Sequence, residues 1–177
     1  MDQYKVLFLN IVCLLLLTGH SANSQGLTPV SATGHVVAEI VPVFSASETS
    51  QLNFGKFSPG PEGGKIILAP ENTISVLGSI YKAPGFHNVA SFHVSGDVDA
   101  AYSITLPGDP VILQHVSEAK TMTVGEWRSV PSPGPGAGML SDGFQVVYIG
   151  ATLNVGNFHD NPVGVYTGTY TVTFDFN

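Results

Sequence analysis

Cysteine is almost absent. The 177-residue chain has one, Cys13, inside an apolar run near its start and preceded by bulky Val12, so neither an intrachain disulfide nor a lipid-attachment site is expected. Many small exported domains depend on disulfides, and this one must be held by packing instead. Charge is also scarce, at 11% of the residues, less than half of the usual quarter. Positive charge is scarcest: 6 Lys and Arg stand against 13 Asp and Glu, for a net charge of −7. Lys56, Lys65, Lys82, Lys120 and Arg128 are scattered along the sequence. Nucleic-acid binding needs a basic patch and is therefore not expected. The longest apolar run, from Val6 to Leu17, is about a dozen residues, against the roughly 20 that span a bilayer, so no transmembrane segment is expected.

Catalytic signatures are missing too. There is no G-x-S-x-G for a serine nucleophile and no H-E-x-x-H for zinc. His35, His87, His93, His115 and His159 are isolated from one another and show no metal-site spacing, and the Asp97-Val98-Asp99 turn lacks the twelve-residue calcium-loop pattern. No metal, cofactor or catalytic residue is assigned, and the expectation is a protein that is not an enzyme. A hydrolase built on carboxylates such as Glu118, Glu126 and Asp142 stays as the remotest alternative, because a sequence does not show their separation.

What is present begins with a short n-region carrying Lys5, the apolar run, and small residues Ala22 and Ser24 ahead of Gln25, which together read as a secretory signal peptide over residues 1–24. Export to the periplasm, cell surface or medium follows. Residues 25–33 contain Leu27, Pro29, Val30 and Ala32 and form an extended N-terminal segment, with Leu27 and Val30 as candidate partner contacts. Residues 34–177 are long enough for one domain with its own core.

No window of that domain keeps a helical repeat without meeting glycine or proline, whereas period-two alternation recurs. At the C-terminus Tyr166, Gly168, Tyr170, Val172, Phe174 and Phe176 share one face and threonines fill the other, which predicts one long strand over Val165 to Phe176 with Tyr170, Val172, Phe174 and Phe176 inward. Gly34 to Phe44, rich in valine and interrupted by Pro42, predicts an edge strand. Further strands are expected over Gln51–Phe57, Lys65–Leu68, Ile74–Ile80, Ala90–Ser95, Tyr102–Leu106, Val111–His115, Lys120–Val124 and Gly143–Leu153. Proline and glycine turns, among them Ser58-Pro59-Gly60-Pro61 and Gly63-Gly64, separate them. Ser129 to Gly138, with three prolines and three glycines, predicts a surface loop. Trp127, just before it, is either a core-edge side chain or an exposed platform for a sugar or protein partner.

Leu52-Asn53-Phe54-Gly55, Ser58-Pro59-Gly60, Gly64-Lys65-Ile66-Ile67-Leu68, Ala90-Ser91-Phe92-His93-Val94-Ser95-Gly96, Tyr102-Ser103-Ile104-Thr105-Leu106-Pro107, Ile149-Gly150-Ala151-Thr152-Leu153 and the ending Gly164-Val165-Tyr166-Thr167-Gly168-Thr169-Tyr170-Thr171-Val172-Thr173 together resemble a bacterial exported family, domain of unknown function 4402. That family is similar in style to pilus subunits of the chaperone and usher type. The resemblance implies an all-β, immunoglobulin-like antiparallel β-sandwich and a surface or pilus-like role in a Gram-negative bacterium. It also implies partners that are copies of the chain or other subunits, joined by strand addition, and a periplasmic chaperone. A stand-alone carbohydrate- or protein-binding β module using Trp127 is the alternative.

Overall fold

The computed structural model describes residues 29–40 and 43–176. The signal peptide expected over residues 1–24 and the candidate contact Leu27 lie outside the described residues. The chain divides into two units, residues 1–39 and residues 40–177. The described part of the first contains no strand or helix, and its side chains are exposed.

The second unit is almost all-β. Its strands are β1 Ser45–Ser50, β2 Phe57–Leu68, β3 Ile74–Lys82, β4 Ala90–Ser95, β5 Ala101–Thr105, β6 Val111–His115, β7 Thr121–Val130, β8 Gly134–Met139, β9 Phe144–Val155, β10 Tyr166–Thr167 and β11 Thr173–Phe176. All pairings are antiparallel. One eight-stranded sheet runs β1-β4-β9-β7-β6-β10, with β2 joining the far half of β9 and carrying β3 at its edge. The other sheet is β11-β5-β8. The result is a curled, sandwich-like antiparallel fold.

β9 organises both halves, because Val147, Ile149, Ala151, Leu153 and Val155 all point to apolar interior. Toward its end, Leu153 and Val155 meet Ile66, Ile80, Met122 and Val124, so the large sheet closes over its own core. Toward its start, Val147 and Ile149 meet Val94, Tyr102, Ile104 and Leu140, where the small sheet covers the large one. Tyr102 is fully buried and donates a 2.6 Å hydrogen bond to Gln145 Oε1, and burial pushes its hydroxyl pKa up to about 12. Gly138 lies flat against that ring: a Cβ there would stand 2.1 Å from Tyr102 Cζ.

Several sequence expectations are corrected. Gly34 to Phe44 is no strand in its described residues, since an extended apolar segment becomes one only where a neighbour completes its ladder. The first strand is instead Ser45–Ser50, whose small polar sequence carries no alternation signal and which exists by pairing with β4. The strand expected over Gln51–Phe57 is instead a connection over residues 51–56 with one bridge, Asn53 to Asn88, and Phe57 opens β2. The prolines and glycines over Ser58–Gly64 do not end a strand. They form an irregularity inside β2 between Pro59 and Gly64, where β2 has only β3 beside it and missing N–H donors are tolerated.

Ser129 to Gly138 is not a surface loop throughout: Ser129 and Val130 end β7, and Gly134 to Gly138 lie in β8, an edge strand whose glycines let it approach Tyr102. The long C-terminal strand is broken. Tyr166 and Thr167 pair with β6 in the large sheet, Thr173 to Phe176 pair with β5 in the small one, and Gly168 to Val172 cross between them. The alternation nevertheless survives the crossing: Tyr170, Val172 and Phe174 pack against the second core, while Phe176, 47% exposed, reaches only its rim.

Candidate functional site

Trp127 owes its position to a β-bulge. Along β7, Gly125 faces Thr152 and Arg128 faces Gly150, so three steps on β7 match two on β9. Before the bulge the inward side chains are Met122 and Val124; after it they are Trp127 and Ser129. Glu126 occupies the bulge with φ 48° and stays exposed. Its carboxylate accepts from Lys65 Nζ at 2.7 Å and Thr152 Oγ1 at 3.0 Å, contacts that hold its pKa below the usual carboxylate range. A general acid needs the opposite shift.

The Trp127 ring packs on both cores and lies 4.7 Å from the Tyr170 ring. Its Nε1 and the Tyr170 hydroxyl are buried with no hydrogen-bond partner among the described residues. Burial and the neighbouring Glu48 carboxylate push the Tyr170 pKa well up. An open cleft of about 500 Å³ adjoins Trp127, bordered by Ile104, Pro107, Asp109, Glu126 and Gly134. The tryptophan is thus a wall of the core with an edge at a cleft, and not a free-standing aromatic platform. Glu118, Glu126 and Asp142 sit in three separate places: the turn after β6, the bulge of β7, and the short turn before β9.

A second feature lies where the two sheets meet at their free edges. β1 is the outer strand of the large sheet and β11 the outer strand of the small one. Ala46 is in register with Val94 and Glu48 with Phe92, and cross-strand partners share a face. Val94 is fully buried, yet Ala46 and Glu48 on that same core-facing side are exposed. The small sheet therefore covers β4 and leaves the inner face of β1 open. Phe44, Phe92, Phe174 and Phe176 border this strip, with ring centroids 5.3 Å apart for Phe44 and Phe176 and 5.7 Å for Phe92 and Phe174. Along its other margin, Gly168 to Val172 make no backbone hydrogen bond to a described residue.

Of the residues singled out from sequence, Val30 is 94% exposed in the first unit, and Trp127 is half in the core of the second. The residues around the open strip were missed. Glu48 and Ala46 carry no signal of their own, because their meaning comes from register with a strand forty-odd positions away. Exposure of the N-terminal segment extends past residue 33: Val36, Val37, Ile40 and Val43 are between 82% and 98% exposed.

Among the described residues no helix is long and apolar enough to cross a membrane, and no cluster of three His, Cys, Asp or Glu side chains is placed to hold a metal ion. No curated protein matches the sequence. Residues 44–176, from Phe44 just ahead of β1 to the end of β11, match the family described as Domain of unknown function (DUF4402), and the chain belongs to that family.

Proposed function

We propose that the protein is a non-enzymatic, exported structural or interaction protein, a surface or pilus-like component that assembles by strand addition. The observation that carries this reading is the apolar segment ahead of the sandwich. Val36, Val37, Ile40 and Val43 are almost wholly exposed, and Glu39 is the only charged residue from Pro29 to Val43. Isolated exposed apolar side chains are ordinary on a soluble protein, but a run of them on a backbone that forms no strand or helix in its described residues is a segment suited to a neighbour. Strand addition supplies both needs at once, main-chain hydrogen bonds for the backbone and pockets for alternate side chains. Until such a segment is covered it is an aggregation hazard, which is why a periplasmic chaperone belongs among the proposed partners.

The test is light scattering and electron microscopy of the chain from Gln25, beside the same chain carrying Val36→Ser, Val37→Ser and Ile40→Ser. Oligomers or fibres in the first that are lost in the second support the reading. A chain that is monomeric at every concentration, with or without the three serines, contradicts it.

A further inference from the structure

We infer that the cleft between the β2–β3 turn and the outer face of the large sheet is a binding site for a neutral oligosaccharide. The inference is independent of the assembly reading above, because no residue of this cleft belongs to the N-terminal segment or to the open strip.

The cleft encloses about 430 Å³ and opens on the side of β9 away from both cores. Val147 and Ile149 point inward, so Tyr148 between them points out, and it is 44% exposed. Ser91 of β4 stands in register beside Tyr148, and Ser50 of β1 beside Ser91, so these three residues form a floor. Two connections build the wall. The β2–β3 turn is closed by Ala69 N donating to Thr73 O and Asn72 N donating to Ala69 O, both at 2.9 Å. It crosses β9 at Gly150, where a Cβ would stand 2.1 Å from Leu68 O and 2.8 Å from Pro70 N, so a side chain there would push the turn off the sheet. The β3–β4 connection is fixed by two backbone bonds between Asn88 and Asn53, at 2.8 and 2.9 Å. Asn72 fastens the two connections together: its Oδ1 accepts from Val89 N at 3.2 Å, and its carbonyl accepts from His87 Nε2 at 3.3 Å.

That fastening aims polar groups at the cleft. Asn72 holds a φ of 59°, a left-handed conformation that asparagine tolerates better than most residues. With Oδ1 committed to Val89, its Nδ2 presents two donors in a set direction, and neither meets a partner among the described residues. The Asn88 amide and the Glu71 carboxylate, on the same wall, likewise meet none. One exposed aromatic ring is thus bordered by amide donors, an amide acceptor, a carboxylate and serine hydroxyls. A pyranose is the complement of such a surface, with a patch of C–H groups for the ring face and a rim of hydroxyls that both donate and accept. The volume suits a small ligand, for which sites run from about 300 to 1,000 Å³. The walls hold one carboxylate and no Lys or Arg, and the chain carries a net charge of −7, so sialylated and sulfated sugars are disfavoured. An apolar peptide is disfavoured as well, because Pro70 and Val89 are buried and Tyr148 is the only large apolar side chain the cleft exposes.

The test is binding of the full-length chain to immobilised neutral oligosaccharides of hexoses and N-acetylhexosamines, with sialylated and sulfated oligosaccharides beside them. Affinity for the best neutral oligosaccharide is then measured by calorimetry. Retention on neutral sugars alone is expected. Tyr148→Ala should weaken binding about tenfold or more, and Tyr148→Phe, which keeps the ring face, should bind more tightly than Tyr148→Ala. Asn72→Asp keeps an oxygen for Val89 N and exchanges the NH2 group for a second acceptor, so it should cost about tenfold in affinity with an unchanged melting temperature. Asn88→Asp is read in its place where Asn72→Asp does not fold. Asp109→Asn, at the separate cleft beside Trp127, should leave affinity as it is.

A chain that is retained on none of the neutral oligosaccharides, or on charged ones alone, overturns the inference. Folded Tyr148→Ala and Asn72→Asp chains that bind as the wild type does overturn it too, as does binding lost with Asp109→Asn and kept with Tyr148→Ala. A chain that binds through Tyr148 and never assembles refutes the assembly reading and leaves this site standing.

Discussion

Gly138 is the tightest apolar approach in the small sheet and gives the sharpest test of the packing. Its ideal Cβ would stand 2.1 to 2.5 Å from Cζ, Cε1 and Cε2 of Tyr102. That ring cannot swing aside freely: it is fully buried, lies 6.0 Å from Phe44 and 6.1 Å from Phe174, and its hydroxyl is fixed to Gln145. Gly138 is not among the positive-φ glycines, so Gly138→Ala adds a methyl group without backbone strain and its cost is steric. Overpacking of this kind costs about 1–3 kcal/mol. For a domain of this size that lowers the melting temperature by about 4–12 °C. The assay is thermal unfolding followed by Trp127 fluorescence and circular dichroism, in the wild type and in a Tyr102→Leu background. Leucine is too short to reach the added methyl, so Gly138→Ala should be nearly neutral there, giving a coupling between the two sites of about 1 kcal/mol or more. An unchanged melting temperature, or an equal loss in both backgrounds, would refute the placement of β8 over Tyr102.

Tyr102 also predicts an alkaline limit. Its hydroxyl ionises near 10 in the unfolded chain and near 12 in the folded one, so its contribution is fully present below pH 10 and is lost as pH rises toward 12. The loss is about 2–3 kcal/mol. Tyr170, raised in the same direction, adds to it. Tyr102→Phe should flatten the fall in stability between pH 10 and 12 in urea titrations, and an unaltered slope would count against the buried hydroxyl. Phe174→Asp sets a carboxylate against Phe92 and Tyr102 and should destabilise by about 3 kcal/mol. A urea midpoint that does not move would put Phe174 outside the core.

β4 and β6 could be read from the sequence at their observed limits, Ala90–Ser95 and Val111–His115, because one alternates apolar and polar residues, the other opens on three apolar ones, and turn residues lie beside both. The alternation at the C-terminus was legible as well, down to the inward Tyr170, Val172 and Phe174. What it could not reveal was the change of sheet at Gly168 to Val172, since side-chain period is blind to which strand lies beside. The bulge at Glu126 was hidden for a related reason: one extra residue reverses inward and outward along β7, and only the pairing with β9 exposes it. β1 and β8 were missed because Ser-Ala-Ser-Glu-Thr-Ser and Gly-Pro-Gly-Ala-Gly-Met owe their strand conformation to neighbours and not to propensity. The candidate site was the least legible part. Sequence showed that Gly34 to Phe44 is competent to be a strand, but a strip defined by the exposure of Ala46 and Glu48 opposite Val94 and Phe92 exists only in three dimensions.

Hydrogen exchange of the full-length chain over a wide range of concentration tests the central claim most directly. Strand addition between copies predicts that the amides of residues 34–40 exchange rapidly in dilute solution and become protected as concentration rises, while β9 stays protected throughout. Association that leaves those amides exchanging as rapidly as in dilute solution would contradict the account.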